Sequence, residues 1–279
     1  MSTTSDTIDT AASTALARRI RLLCLQMCHA KRASHLGGAF SVADVLAVLY
    51  GGLLTADPAQ PKAPHRDRLF YSKGHACTAL YAVLAEAGFY PRAELDTFTD
   101  DGSFFTSHVN HNVPGIELST GSLGHALSVA AGVALAGQRR RTDWHTYAIL
   151  SDGELDEGSN WEAILFAPHH RLANLTLVID YNKIQSFGST AEVLNLDPLA
   201  DKFRAFGWET LEVDGHDHDQ LAAALSKQGR GDRPRVVICH TIKGKGVSFM
   251  EGQLAWHYKS PDAAQFAAAR AELLQEDTQ

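Results

Sequence analysis

Little in this sequence calls for disulfides, a membrane or a nucleic-acid partner. Four cysteines in 279 residues (Cys24, Cys28, Cys77 and Cys239) are too few and too scattered for a disulfide framework. Cys24 and Cys28 sit four apart on an expected helix and precede His29, a spacing that admits a metal. Two small buried side chains on one helical stripe explain them more simply, and reduced thiols suit the cytoplasm. Positive charge is scarce. The 25 Lys and Arg are outnumbered by 32 Asp and Glu, for a net charge of -7, and the one dense basic run is Arg139-Arg140-Arg141. That pattern excludes an electrostatic footprint for nucleic acid and reads as a solvated helix end. No apolar stretch reaches the roughly 18 residues of a membrane span. Residues 1–13 are rich in Ser, Thr and Asp, with neither the basic nor the apolar region of a secretory leader. The expectation is a soluble cytoplasmic protein with a flexible polar N-terminus over 1–13 and one large domain over 14–279.

What is present is an alternation of helix and strand. Leu16, Ile20, Leu23, Met27 and Ala30 recur at helical spacing. A second helix is expected over 41–50, with Ser41 as N-cap and Asp44 three residues in. A polar, Pro-containing loop over 57–67 leads to a short apolar segment at 68–71, then to a helix over 78–88. The segments 147–150 and 175–180 read as strands buried on both faces, separated by a helix at 159–172. Two more strands, 209–213 and 236–239, flank a helix at 219–227. Strand, helix and strand at this spacing predict an α/β fold: a doubly wound parallel sheet with helices on both faces.

Two strand ends carry the chemistry. Ser151-Asp152-Gly153 closes one buried strand, and Asp180-Tyr181-Asn182-Lys183-Ile184 closes the next, where open α/β sheets bind ligands. Gly153 removes a side chain where a phosphate would approach the backbone. Asp152, Asn182 and a backbone carbonyl are hard oxygen donors of the kind magnesium takes when it also holds phosphate. Either motif alone is an ordinary turn or strand end; the pair on consecutive strands points to a cation and diphosphate site. Fourteen histidines add a second signal. Several lie in loops rather than on helix faces: His35 in Ala33-Ser-His-Leu-Gly-Gly38, His75 in Ser72-Lys-Gly-His-Ala76, His108 in Thr106-Ser-His-Val-Asn110 and His257 in Trp256-His-Tyr-Lys259. Imidazoles both donate and accept hydrogen bonds near neutral pH, which suits proton movement among sugar hydroxyls.

Asp-Gly followed about 30 residues later by Asn resembles the fingerprint of thiamine-diphosphate enzymes. The four histidine loops, in this order, and Pro114-Gly-Ile-Glu-Leu-Ser-Thr-Gly-Ser-Leu-Gly124 resemble the N-terminal, thiamine-diphosphate-binding half of transketolase. The resemblance runs from about residue 29 to 262. It implies that Asp152, Asn182 and the Ile184 carbonyl bind magnesium (or Ca2+ or Mn2+), and that Gly153 contacts the diphosphate. It further implies that Gly121, Ser122 and Leu123 hold a bent cofactor, that His75 and His257 touch cofactor, and that His35, His75, His108 and His257 serve catalysis. Glu157 matches a carboxylate linking the two sites of a dimer. Thr241-Ile-Lys-Gly-Lys-Gly-Val247 matches the same half; a basic loop and a substrate- or phosphate-facing role both fit it. The departures are Ala-Ser-His-Leu-Gly-Gly in place of Ser-Gly-His-Pro-Gly, His125 in place of Gln, Tyr181 in place of an acid, and Tyr258-Lys259 in place of small residues. The first resembles a split, two-gene form.

Thiamine-diphosphate chemistry needs a carboxylate on the pyrimidine ring, and in transketolases that glutamate lies in a second domain. Nothing here resembles that domain. The resemblance therefore implies a partner, the C-terminal (pyrimidine-binding) transketolase subunit, in an α2β2 heterotetramer acting on sugar phosphates. The small-residue helix over 123–137, with Ala126, Ala130, Ala131, Gly132 and Ala134, is either its interface or an ordinary buried helix. Two other functions are a 1-deoxyxylulose-5-phosphate synthase-like enzyme using pyruvate and a non-catalytic regulatory paralogue. The intact Asp152, Gly153 and Asn182 set speaks against the second. A zinc enzyme finds no His-x-x-x-His or Cys-x-x-Cys spacing to support it.

Overall fold

A computed structural model describes residues 8–275 of the chain. The first helix, α1 (Thr10–Lys31), begins where the Asp9 carboxylate accepts the Ala12 N–H at 3.0 Å. Thr10 to Ser13, grouped by composition with a flexible polar start, are thus helical, because Asp9 supplies a cap that polarity alone conceals. Residues 1–7 lie outside the described ones. Cys24 and Cys28 are fully buried on α1 among apolar neighbours, and burial pushes the Cys24 thiol up to about 12. They are core residues.

The next segment corrects one expectation. In place of a single helix over 41–50 there are α2 (Leu36–Ser41) and α3 (Ala43–Val48), followed by a wide π turn over Leu49–Leu53. Ser41 ends α2 and caps nothing: its Oγ lies 2.6 Å from Asp180 Oδ2, to which it donates. The Ser41 hydroxyl is engaged by Asp180 and Lys73 instead, and no side chain caps α3. After these come β1 (Arg68–Tyr71), α4 (Cys77–Glu86), α5 (Ala126–Arg140), β2 (Thr146–Ser151), α6 (Gly158–His169) and β3 (Leu175–Tyr181). The chain continues through α7 (Thr190–Val193), α8 (Leu199–Phe206), β4 (Glu209–Asp214), α9 (His218–Leu225), β5 (Arg235–His240) and α10 (Ala263–Gln275). The strands fall where the apolar runs predict them, to within two residues. The helices α7, α8 and α10 are additional. In α8 the buried Leu199 and Phe203, four apart, supply the periodicity in a short mixed segment.

All five strands are parallel, in the order β1-β2-β3-β5-β4. Alternate side chains enter two separate cores. Tyr147, Ile149, Val178, Val237 and Cys239 face the layer of α1 to α4 and α9, with α10 beyond. Ala148, Leu150, Leu177, Ile179, Val236 and Ile238 face α5, α6 and α8. The sheet is therefore covered on both faces, as a doubly wound fold requires. One consequence bears on α5. Ala126, Ala130, Ala131 and Ala134 are buried in this chain's own second core, so of the five small residues considered for an interface only Gly132 is exposed.

Candidate active site

The C-terminal ends of β1, β2, β3 and β5 open on one cavity of about 400 Å³. Asp152, just past β2, is buried; its Oδ1 accepts the Gly153 N–H at 2.7 Å and its Oδ2 the Lys183 N–H at 2.6 Å. The second bond ties the ends of β2 and β3 together. Lys183 takes φ 65°, an unusual conformation for a side chain larger than glycine, and this turn sets Asn182 and Ile184 beside Asp152. Burial, helped by nearby Asp180, raises the Asp152 carboxyl to about 6. A buried carboxylate held only by backbone amides is short of positive charge, and a hard cation would satisfy it. The Ile184 carbonyl already accepts one positive group, the Lys243 ammonium, at 2.9 Å. Asp152, Asn182 Oδ1 and the Ile184 carbonyl thus fit an oxygen-seeking divalent ion that keeps further positions for phosphate.

Glycines shape the walls. A Cβ on Gly74 would lie 2.5 Å from the Thr120 carbonyl oxygen, so the loop bearing His75 rests directly on Thr120 and Gly121. Gly124 has φ +85° and would drive a Cβ to 2.8 Å from that of Glu157. The loop of Gly121, Ser122 and Leu123 is clamped there: Gly124 N–H donates to Glu154 Oε1 at 2.9 Å, and Ser159 Oγ donates to the Gly124 carbonyl at 2.7 Å. Gly121, Leu123, Gly153 and Glu157 line the cavity; Ser122 turns away from it and is exposed.

The histidines converge. The His35 ring centre lies 5.4 Å from that of His75, 4.9 Å from that of His257 and 6.3 Å from that of His108. His75 and His257 line the cavity, with their rings 5.7 Å apart. Burial, with neighbouring positive groups, lowers His35 to about 4 and His257 to about 3, and holds His75 well below its ordinary value. At neutral pH these three rings are uncharged, each with one donor and one acceptor nitrogen. The Lys243 ammonium donates to His257 Nδ1 at 3.1 Å, which leaves the ring proton on Nε2.

Three groups under the site escaped the reading of motifs. Lys73 and Asp180 form a fully buried ion pair, and Asp180 also accepts from Ser41 and Thr241. The Lys73 charge and these hydrogen bonds hold the Asp180 carboxyl below its usual range against the opposing effect of burial. Glu154, fully buried, accepts from Ser72 and Gly124 through Oε1, and its Oε2 has no hydrogen-bond partner; burial raises it to about 7. Charged residues at the ends of apolar strands were the signal that could have found them. Within residues 241–247, Lys243 is buried and faces the cavity.

Comparison with known proteins agrees with this geometry. The family model described as transketolase, thiamine diphosphate binding domain, matches residues 12–278. The chain belongs to the transketolase family. It is 44% identical over 259 residues to the 6-deoxy-6-sulfo-D-fructose transketolase subunit SqwG of Clostridium sp. (strain MSTE9), covering 92% of this chain and 94% of that protein. It is 40% identical over 250 residues to an apulose-4-phosphate transketolase subunit of Phocaeicola vulgatus, covering 89% of each. Transketolase from Leishmania mexicana superposes with a TM-score of 0.86 at 29% identity, over 94% of this chain and 41% of that one. The chain thus spans nearly all of the subunit-type relatives and about two fifths of a full-length transketolase, whose N-terminal, cofactor-binding part it matches. Among the described residues no helix is long and apolar enough to cross a membrane.

Proposed function

We propose that this chain is the thiamine-diphosphate-binding subunit of a two-subunit transketolase, which moves a two-carbon ketol unit from a ketose to an aldose. The observation that carries the reading is one cavity in which Asp152, Asn182 and the Ile184 carbonyl meet beneath the cluster of His35, His75, His108 and His257. Bound thiamine diphosphate would supply the carbanion centre that cleaves and forms the carbon–carbon bonds. The chain's own groups do the rest. Asp152, Asn182 and Ile184 hold magnesium, or calcium or manganese in its place, and Gly153 admits the diphosphate to the backbone. Gly121 and Leu123 form the wall against the rings, with Leu123 as its apolar part, while the exposed Ser122 lies outside that wall. His75 and His257 border both cofactor and reacting centre. The neutral imidazoles receive and return the protons of the sugar hydroxyls, a role a permanently charged side chain could not fill. Glu157, exposed at the cavity rim, faces the partner's side.

The partner supplies the glutamate for the pyrimidine ring, in an α2β2 assembly within the cytoplasm. The naming of both bacterial relatives as subunits supports this reading, as does their match in length. The exposed Leu165 and Phe166 of α6, together with Val129 and Gly132 of α5, offer it an apolar face. The donor is a ketose with an anionic end, the class to which both relatives' named sugars belong. Titration calorimetry of thiamine diphosphate into the assembled protein with magnesium tests the site. Asp152→Ala should lose measurable magnesium-dependent binding, and binding equal to that of the unaltered protein would refute the assignment. Ketol transfer from ketose phosphates, set against pyruvate consumption, tests the reaction.

A further inference from the structure

The segment Val213-Asp-Gly-His-Asp-His218, at the end of β4, lines no part of the cavity, yet two hydrogen bonds join it to the stretch leading to Lys243, which does. The Gly215 N–H donates to the His240 carbonyl at 2.9 Å, and a Cβ on Gly215 would lie 2.4 Å from Thr241 Cγ2. Only glycine lets this turn press against the start of the segment that carries Lys243. His216 engages both ring nitrogens: Nδ1 is 2.6 Å from Asp44 Oδ2, and the Ile242 N–H donates to Nε2 at 2.8 Å. A backbone N–H can only donate, so Nε2 is the acceptor, and the ring proton resides on Nδ1 and points to Asp44.

Asp44 is a fixed anchor for that proton. It is buried, pairs with Arg21 and lies 3.1 Å from His218 Nε2. Burial works to raise its pKa, but the Arg21 guanidinium and the two imidazoles hold the carboxyl well below the usual range. On the other side, the residues from Thr241 to Gly244 are each tied to the rest of the fold. Thr241 Oγ1 donates to Asp180, the Lys243 ammonium to the Ile184 carbonyl, and Gly244 N–H to the Gly37 carbonyl at 2.9 Å. The peptide between Thr241 and Lys243 is held by His216.

We propose that His216 is a positioning residue for the cofactor cavity: oriented by Asp44, it holds the Ile242 amide so that Lys243 is delivered to the wall formed by Ile184 and His257. The inference rests on reading that cavity as the thiamine-diphosphate site, and its test separates the two. Asn at position 216 retains a donor for Asp44 but cannot reach Ile242, whereas Gln places an acceptor near Nε2 and gives up the donor to Asp44. Hydrogen exchange of the Ile242 amide in the cofactor-free chain should be about tenfold faster in His216→Asn and within about twofold of wild type in His216→Gln. Calorimetric affinity of the assembled protein for thiamine diphosphate with magnesium should divide the same way, about tenfold weaker for Asn and within about threefold for Gln. A purely structural role would make affinity follow the variants' thermal midpoints, and Gln would then suffer at least as much as Asn. Wild-type exchange and affinity in His216→Asn, or affinities ranked by midpoint, overturn the proposal. Wild-type protein that protects Ile242 but binds no thiamine diphosphate instead overturns the reading of the cavity, and the exchange rates still decide whether His216 holds the segment.

Discussion

Glu154 illustrates how burial sets protonation in this protein. Its carboxyl is enclosed at the turn after β2, with one oxygen bonded to Ser72 and Gly124 and the other without a partner. Burial raises it from an ordinary 4.5 to about 7. A group raised on folding contributes stability that is fully present below its unfolded value and lost as pH rises through the folded one. The loss therefore accumulates between pH 4.5 and 7, and reaches on the order of 3 kcal/mol at pH 8. Glu154→Gln keeps the acceptor for Ser72 and Gly124 but carries no charge. Its thermal midpoint, measured without cofactor, should nearly match wild type at pH 4.5 and exceed it by a growing margin up to pH 8. A gap independent of pH would show that the glutamate is not raised. The same residue marks a limit of motif reading. Glu154 is visible in the sequence beside Asp152 and Gly153, but its enclosure depends on Ser72 and Gly124, which come from two distant segments.

At the scale of elements, the cavity is made by loops that rest on one another with no room to spare. The short 3-10 turn of Gly74, His75 and Ala76 sits on the Thr120–Gly121 backbone, and a methyl group on Gly74 would meet a carbonyl that cannot swing aside as a side chain would. Gly74→Ala should cost about 1–3 kcal/mol of unfolding free energy by denaturant titration. It should also weaken cofactor binding, because His75 and Gly121 line the cavity from either side of that contact. Stability lost with affinity intact would mean the two loops move independently. The positions of β2, β3 and β5 were legible in advance because a parallel strand buried on both faces is largely apolar, whereas β4 is partly exposed and alternates polar with apolar residues. The break between α2 and α3 was not legible, since both helices are buried on all sides and have no polar face whose rotation would mark a boundary.

For the whole molecule, the question is which groups lie within this chain. Asp152, Asn182, the Ile184 carbonyl and the four histidines do; the carboxylate required at the pyrimidine ring is proposed to come from a second subunit. The isolated chain should therefore show under about 1% of the ketol transfer of the mixture with its partner, a contrast expected when one essential catalytic group is removed. Sedimentation of that mixture should show a heterotetramer. Full activity in the isolated chain would refute the two-subunit reading, as would no complex and no gain on mixing. The surface of α5 and α6 qualifies the sequence expectation. Most of the small residues of α5 are buried in this chain's own core, and the exposed apolar positions belong largely to Leu165 and Phe166 of α6.

The sequence by itself determined the strands, the parallel α/β class and the residues at the strand ends, Asp152 and Asn182 among them. These follow from local rules: an apolar run must be buried, and a strand's last residue lies at the sheet's edge whatever its neighbours are. The tertiary structure alone decided which polar side chains are paired. Lys73 meets Asp180, 107 residues away, and His216 meets Asp44, 172 residues away. No local pattern encodes such pairs, because each depends on the order of the strands and on which helix covers which face. The same holds for the site. The sequence named its oxygen donors and histidines, and only the folded sheet determined that the donors share one cavity with His75 and His257, that the rings of His35 and His108 lie beside these, and that Lys243 is held at the cavity wall.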